Sequence, residues 1–418
     1  MQRRALVVVV GVWAAIAGCA QVWGIGDVPV PIDATTSDSA PETQAAEAAV
    51  ADTLVPDASH TDAPSIDGTL ADTSTRDTSV DTSAVDAPLA DAAPPEAAVD
   101  AGCPTDPCVM ATGLNNPFSM TSDGNNVYWT ELGTAFGSKD GTVKSCPVSG
   151  CGAGPTVIAS ALLNPRGIAV DGTNVYFATA TRNVVQGAIW SCPLAGCQGA
   201  LPTMLATAGI PDGVAVDSNY VYWVDSDFST VSRVAKVGTA PVDVLYDAAT
   251  QAISSPEYCA VDGTGVYVTD VSQRIVRIPL AGGEPTVIFR GSGSGYYSPL
   301  ALDPANLYFA IDAQIDRASK SSMDGGPAIA TGFAQVLSLA IDGNAGEIYW
   351  ADYGTGTAND GTVGKVGIDG GAFFLGSQLA TPAAVTVSGN HAFWISQGAN
   401  VNGSITDPNS GMLTRLVK

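Results

Sequence analysis

Asn164-Pro165-Arg166-Gly167-Ile168-Ala169-Val170-Asp171-Gly172-Thr173-Asn174-Val175-Tyr176-Phe177 is one copy of a phrase that recurs seven times between Asn115 and the C-terminus. The copies vary around one plan: a proline, a few small or apolar residues, Asp-Gly, then two aromatics and an acid. The aspartate returns at Asp123, Asp171, Asp217, Asp262, Asp303 and Asp342, and Ser388 holds the seventh place. The steps are 48, 46, 45, 41, 39 and 46 residues. Four β-favouring runs fit in one copy: Ile158-Ala159, Gly167–Val170, Val175–Ala178 and Ala188–Ser191, broken by Gly, Pro and Asp. A period of about 40–50 residues with four strands per copy marks a β-propeller. The expected fold is all-β: a seven-bladed β-propeller of four-stranded blades over 103–418, preceded by a disordered acidic linker and a signal peptide.

The last copy ends at Gly411–Lys418, one strand short of a full blade. Val109-Met110-Ala111 lies eight residues before Pro117, as Val157-Ile158-Ala159 lies eight before Pro165. Residues 108–113 are therefore expected to complete blade 7 and close the ring, which removes the exposed edges of an open sheet. The Asp-Gly sites read as turns between the first two strands, where Gly and Asn tolerate positive φ. A calcium loop is the competing reading, but its downstream bidentate Glu is missing.

Charge divides the chain. The total is −24 over 418 residues. Residues 20–102 hold 16 acids and one base, Arg76, giving −15; residues 103–418 hold 25 acids and 14 bases, giving −11; Arg3 and Arg4 add +2. Such a balance does not attract nucleic acid or anionic lipid. The chain has only two histidines, His60 and His391, which leaves little for hydrolase or metal chemistry.

Residues 1–18 read as an export signal. Arg3 and Arg4 precede an apolar run from Ala5 to Ala17, too short to span a bilayer, which takes about 20 residues. The run ends in Ile16-Ala17-Gly18-Cys19, which resembles the bacterial lipobox. The resemblance implies lipidation (palmitate) of Cys19, cleavage before it, and, with Ala20 following, sorting to the outer membrane. Several acyl chains anchor stably where one does not. Residues 19–102 then form an Ala/Asp/Thr/Ser/Pro tether with an acid about every five residues, from Glu42 to Asp77 and beyond. That period matches neither helix nor strand, and with almost nothing to bury the tether is expected to stay disordered and extended.

Val127-Tyr128-Trp129-Thr130-Glu131, Val221–Asp225 and Ile348–Asp352 resemble the YWTD repeats of lipoprotein receptors. Pro165–Asp171 is similar to NHL- or YVTN-type bacterial propellers, and seven anchors, against six blades in the receptors, favour the bacterial relatives. A bacterial lipoprotein with a repeat propeller is the implied family.

Three cysteine pairs share the form Cys-Pro-x-x-x-Cys: Cys103/Cys108, Cys146/Cys151 and Cys192/Cys197. In blade 4 the matching stretch Arg277–Gly283 has lost both cysteines together, as expected of partners in a local disulfide across a hairpin. Zinc is the alternative, without a nearby histidine. Cys259 stands where other copies have Ile168, Val214 and Leu339, and is expected to be a buried free thiol.

Propeller chemistry sits over the central channel, on loops leading into the innermost strands. Those positions are taken as Phe118, Arg166, Asp212, Glu257, Leu300 and Ala383. Phe118, Arg166, Asp212 and Glu257 are the candidate binding residues, and no catalytic or metal residue is assigned. Glu131, Asp225, Asp270 and Asp352 end the second strands and are expected to bond within their own blades. The leading expectation is a non-enzymatic recognition or scaffold module, monomeric, without cofactor, on the cell envelope and binding protein, peptide or glycan. The alternative is a metal-dependent lactonase- or lyase-like propeller enzyme, using channel carboxylates and calcium or magnesium. Long connections at Leu132–Asp140, Tyr353–Asp360 and Gln397–Ser410 are expected to form one crest beside the channel mouth.

Overall fold

Seven four-stranded antiparallel sheets follow one another along the chain, one to each repeat. The computed structural model describes residues 105–418 apart from 136, 181–186, 198, 238–240, 248–252, 292–298, 312, 322–324, 357–358, 399, 402–403, 406 and 408. The signal segment, Cys19, the tether and Cys103 lie outside the described residues. Blade 1 runs from the innermost strand Pro117–Ser122 through Asn126–Glu131 and Gly141–Pro147 to the outer strand Thr156–Leu162. Blades 2 to 6 begin with the innermost strands Pro165–Val170, Pro211–Val216, Pro256–Asp262, Leu300–Leu302 and Val336–Asp342. Blade 7 has Pro382–Ser388, His391–Ser396 and Gly411–Val417, and its outer strand is Cys108–Leu114 from the other end of the domain. The closing register pairs Cys108 with Arg415 and Leu114 with Gly411. The fold is a seven-bladed β-propeller.

The two aromatics of the repeated phrase explain why it builds a ring. Neighbouring residues of a strand point to opposite faces of its sheet. Tyr128 accordingly packs into the cluster between blades 1 and 2, and Trp129 into the one between blades 7 and 1. Tyr222 and Trp223 divide in the same way between blade 4 and blade 2, as do Tyr349 and Trp350 between blade 7 and blade 5. Among the described residues the core is therefore seven separate clusters, one at each blade junction. Second strands are buried on both faces, as Val127 to Glu131 all are. Full burial of an apolar side chain of this size stabilises by about 1.5–3 kcal/mol.

A second device joins the blades. Blades 3, 5 and 7 each carry Arg-x-x-Lys across the end of the third strand: Arg233/Lys236, Arg317/Lys320 and Arg415/Lys418. Three residues apart on extended chain, the two side chains leave by opposite faces. Each lysine reaches back to the turn aspartate of the preceding blade: Lys236 to Asp171 at 2.7 Å, Lys320 to Asp262 at 2.6 Å, and Lys418 to Asp342. Each arginine reaches forward to a backbone carbonyl of the next blade: Leu280 at 2.7 Å, Ile368 at 3.0 Å and Val148 at 2.8 Å. Blade 1 has Ser145 and Val148 at these places. The junction of blades 1 and 2 has neither tie among the described residues.

The Asp-Gly turns differ in one respect from expectation. Among Gly124, Gly172, Gly263 and Gly343, only Gly124 adopts positive φ, at 94°. The aspartate holds the turn instead. Asp171 Oδ1 accepts from the N–H groups of Thr173 and Asn174, and Oδ2 accepts from Tyr176, 3.0 Å away on the next strand. Asp123 with Tyr128, Asp217 with Tyr222 and Asp303 with Tyr308 repeat the arrangement. These carboxylates are committed to structure.

Candidate functional site

Phe118, Arg166, Asp212 and Glu257 come together. Each stands one residue beyond the proline that opens its innermost strand, and all four line a cavity of about 120 Å³ at the mouth of the channel. Arg166 is almost fully buried and forms an ion pair with Asp212. Its guanidinium lies 5.8 Å from the Phe118 ring centre, within cation–π range. Ser226 donates to the second oxygen of Asp212 at 2.6 Å.

Close approach of the inner strands makes this wall. A Cβ at Gly167 would collide with the carbonyl oxygen of Asp212, and one at Gly213 would crowd Cys259 and Glu257. The register that includes these glycines also holds Ser119, Ser338 and Ala384. Tyr258 is the exception, and sequence reasoning passed it over, although a single bulky residue in a small-residue register was a readable signal. Its hydroxyl donates to Leu337 of blade 6 at 2.9 Å. Tyr258 and Phe118 border both the large cavity and a smaller one of about 70 Å³, whose other walls include Leu337, Ala383 and Gln397.

Two placements need correction. Leu300 is not at the channel mouth: it pairs with Phe309 inside blade 5, in the register of Met120 with Trp129. The proline of that copy, Pro299, sits four residues before Asp303 rather than six, which misled the alignment. Leu337 is the mouth residue of blade 6, next to Ala383 of blade 7. Cys259 is free but only half-buried, because it borders the large cavity. Burial pushes its thiol up to about 12, a value at which it is no nucleophile.

The strand-end acids act within their blades. Asp225 accepts from the N–H groups of Gly209, Ile210, Asp227 and Phe228, and Asp352 from those of Ala334, Gln335 and Gly354. Glu131 takes Asn115 N–H, Trp129 Nε1 and Lys144, while Asp270 takes Ser254 N–H and Arg274. Each fixes the chain leading into the innermost strand against the end of the second. Burial raises the Asp225 carboxyl above its ordinary value despite the backbone donors. No group of three or more His, Cys, Asp or Glu converges among the described residues as a metal would require. His391 opens the second strand of blade 7, paired with Ser388 at the face away from the mouth.

The long connections flank the mouth, since the start of each innermost strand pairs with the end of the second, as Pro117 does with Glu131. Two are built alike. Thr134 bonds Asp140 at 2.6 Å, and Thr355 bonds Asp360 at 2.6 Å. Gly133 and Gly354 stand at φ 98° and 80°, where a Cβ would strike the same aspartates. Blade 2 also has a long connection, 180–186, which the expected crest omitted; 181–186 lie outside the described residues.

Cys146–Cys151 and Cys192–Cys197 are disulfides, with Cα atoms 4.9 and 5.3 Å apart. Cys108 is also disulfide-bonded.

No protein-family model matches the chain, and no curated protein matches it. Solved structures similar to it include the WD40 β-propeller domain of Doa1, at 15% identity and a TM-score of 0.54, covering 73% of this chain and 96% of that one. The nidogen/laminin complex matches at 16% identity and a TM-score of 0.39, covering 62% of this chain and 84% of that one. Identities this low concern fold alone. The likeness to Doa1 is that of WD40-like four-stranded blades.

Proposed function

We propose that this chain is a lipoprotein of the bacterial cell envelope, anchored through Cys19, whose propeller recognises a protein, peptide or glycan without catalysing a reaction. The acidic tether of 19–102 would hold the propeller away from the membrane. The observation that carries the recognition reading is the pair of matched loops, closed by Thr134 with Asp140 and by Thr355 with Asp360, on the face of the channel mouth. Preformed loops on a rigid scaffold lose little freedom on binding. The enzyme reading has less behind it: Asp212 is engaged by Arg166 and Ser226, and the strand-end acids by backbone donors. Cys19→Ser should release the protein from membranes. Shortening the connections of blades 1, 6 and 7 to two-residue turns should preserve cooperative unfolding and abolish partner capture from envelope extract. Undiminished capture would sink the loop reading, and membrane retention of the Cys19 variant after a high-salt wash would sink the anchor.

A further inference from the structure

Gln397 follows directly on the second strand of blade 7, a place held in other blades by Leu132, Ala180, Ser226, Val271 and Tyr353. In blade 3 the side chain at this place has a partner, because Ser226 donates to Asp212 one residue beyond Pro211. In blade 7 the residue beyond Pro382 is Ala383, whose methyl group offers nothing. Gln397 is only 1% exposed. Its backbone N–H donates to Thr381 at 3.0 Å, but its side-chain Oε1 has no partner. Buried acceptors without a donor are rare in native proteins and call for an explanation.

Gln397 borders the smaller compartment of the channel mouth. At about 70 Å³ this exceeds several times the roughly 10–15 Å³ that one water needs. Phe118, Leu337, Ala383 and Ala384 make most of its wall apolar. Past Tyr258 and Phe118, the larger compartment sets two carboxylates, Asp212 and Glu257, against one cation, Arg166. Apolar walls, aromatic borders, an unfilled acceptor and nearby carboxylates suit an alkyl stem that ends in an ammonium group. The charge of the domain, 25 acids against 14 bases over 103–418, draws basic partners toward it.

We infer that the channel mouth takes up a lysine side chain of a basic partner, with the stem between Phe118, Leu337 and Ala383 and the ammonium donating to Gln397 Oε1. This rests on the recognition reading and names the chemistry that it recognises.

The test titrates the full-length chain in detergent with N-acetyl-lysine N-methylamide, using calorimetry. The norleucine counterpart, which lacks the ammonium, and methyl glucoside, a glycan-type probe, serve as comparisons. The lysine probe should bind one to one, about tenfold or more tighter than the norleucine probe, and more weakly as salt rises. Gln397→Leu keeps the volume and removes the acceptor. It should weaken lysine binding about tenfold with an unfolding midpoint unchanged or raised, because no side-chain hydrogen bond of Oε1 is lost. A lowered midpoint with unaltered lysine binding would show a structural role and overturn the inference. Equal binding of the two amino-acid probes, preference for the glucoside, or no binding at all would overturn it too. Partner capture by Gln397→Leu at the wild-type level would remove the lysine and leave the recognition reading standing. Wild-type lysine binding by a protein with only the connections of blades 1 and 6 shortened, Gln397 kept, that still captures its partner would support the channel and reject those loops.

Discussion

Tyr258 of blade 4 donates its phenolic hydrogen to the carbonyl oxygen of Leu337 in blade 6, 2.9 Å away, past blade 5. The described innermost strand of blade 5, Leu300–Leu302, is the shortest of the seven. One side chain thus divides the channel mouth and braces two blades that are not neighbours in the ring. Tyr258→Phe keeps the dividing ring and leaves the Leu337 carbonyl without this donor. The expected loss is about 0.5–1.5 kcal/mol of unfolding free energy. Urea unfolding checks it, and an unchanged midpoint would mean that the bond contributes nothing to the fold.

Acid and alkali should each weaken the ring, through the same aspartate–tyrosine pairs. Burial alone would raise the turn carboxyls, but donors from backbone, tyrosine and lysine outweigh it. Asp123, Asp171, Asp217, Asp262, Asp303 and Asp342 all lie below their ordinary 3.8. A depressed carboxyl gives stability that is present above its unfolded value and lost as pH falls through the folded one. For the tyrosines the sign reverses: burial first, then the aspartate, pushes Tyr176, Tyr222 and Tyr308 from 10.0 up to about 12. Their contribution is full below pH 10 and lost as pH climbs toward 12. Unfolding free energy should therefore be level through neutrality, falling below about pH 4 and above about pH 10. Tyr222→Phe should flatten the alkaline limb, and Asp217→Asn the acid limb. Limbs of wild-type slope in both variants would locate the titrating groups elsewhere.

Ring closure by Cys108–Leu114 sets a third expectation. The strand supplies Ala111 and Leu114 to the cluster between blades 7 and 1 and covers the edge of Gly411–Val417. Deleting 103–114 exposes that edge and opens the cluster, at a cost of about 4 kcal/mol or more. Deleting 30–95 should cost far less. Equal, small losses in chemical unfolding would mean that the ring does not depend on this strand.

The fold was legible because the phrase states its own geometry. Period gives the blades, paired aromatics give the two buried faces, and the missing last strand points to Val109–Ala111. The candidate site was legible in part. Position relative to the opening proline found Phe118, Arg166, Asp212 and Glu257, and it failed in blade 5, where Pro299 is not the equivalent proline. Tyr258 and Gln397 escaped because each matters through a contact outside its own repeat, or through the want of one. The Arg-x-x-Lys of blades 3, 5 and 7 was legible in the sequence as well. It occurs in alternate blades, so a comparison keyed to features common to all seven copies passes over it.

That alternation cannot run evenly round an odd ring, and the break falls between blades 1 and 2. Six junctions have a lysine or arginine tie from the end of a third strand, whereas Ser145 and Val148 leave this one without such a tie among the described residues. The disulfide hairpin of blade 2 stands in its place. Cys192 is buried in the cluster between blades 1 and 2, with Cys197 against it, and Cys197 N–H donates to the Ile158 carbonyl of blade 1 at 2.9 Å. Cys146–Cys151 serves the junction of blades 7 and 1, which Arg415 and the closing strand also hold. Closing so short a loop contributes about 2 kcal/mol in either case. The Cys192→Ala/Cys197→Ala pair should cost more than that, about 3–4 kcal/mol, because the hairpin also docks blade 1. The Cys146→Ala/Cys151→Ala pair should stay near 2 kcal/mol. Hydrogen exchange should show the extra loss as early opening of Thr156–Leu162 and Gly187–Pro193. Equal costs for the two pairs, with exchange rising evenly round the ring, would show that the junction of blades 1 and 2 is no weaker than the rest.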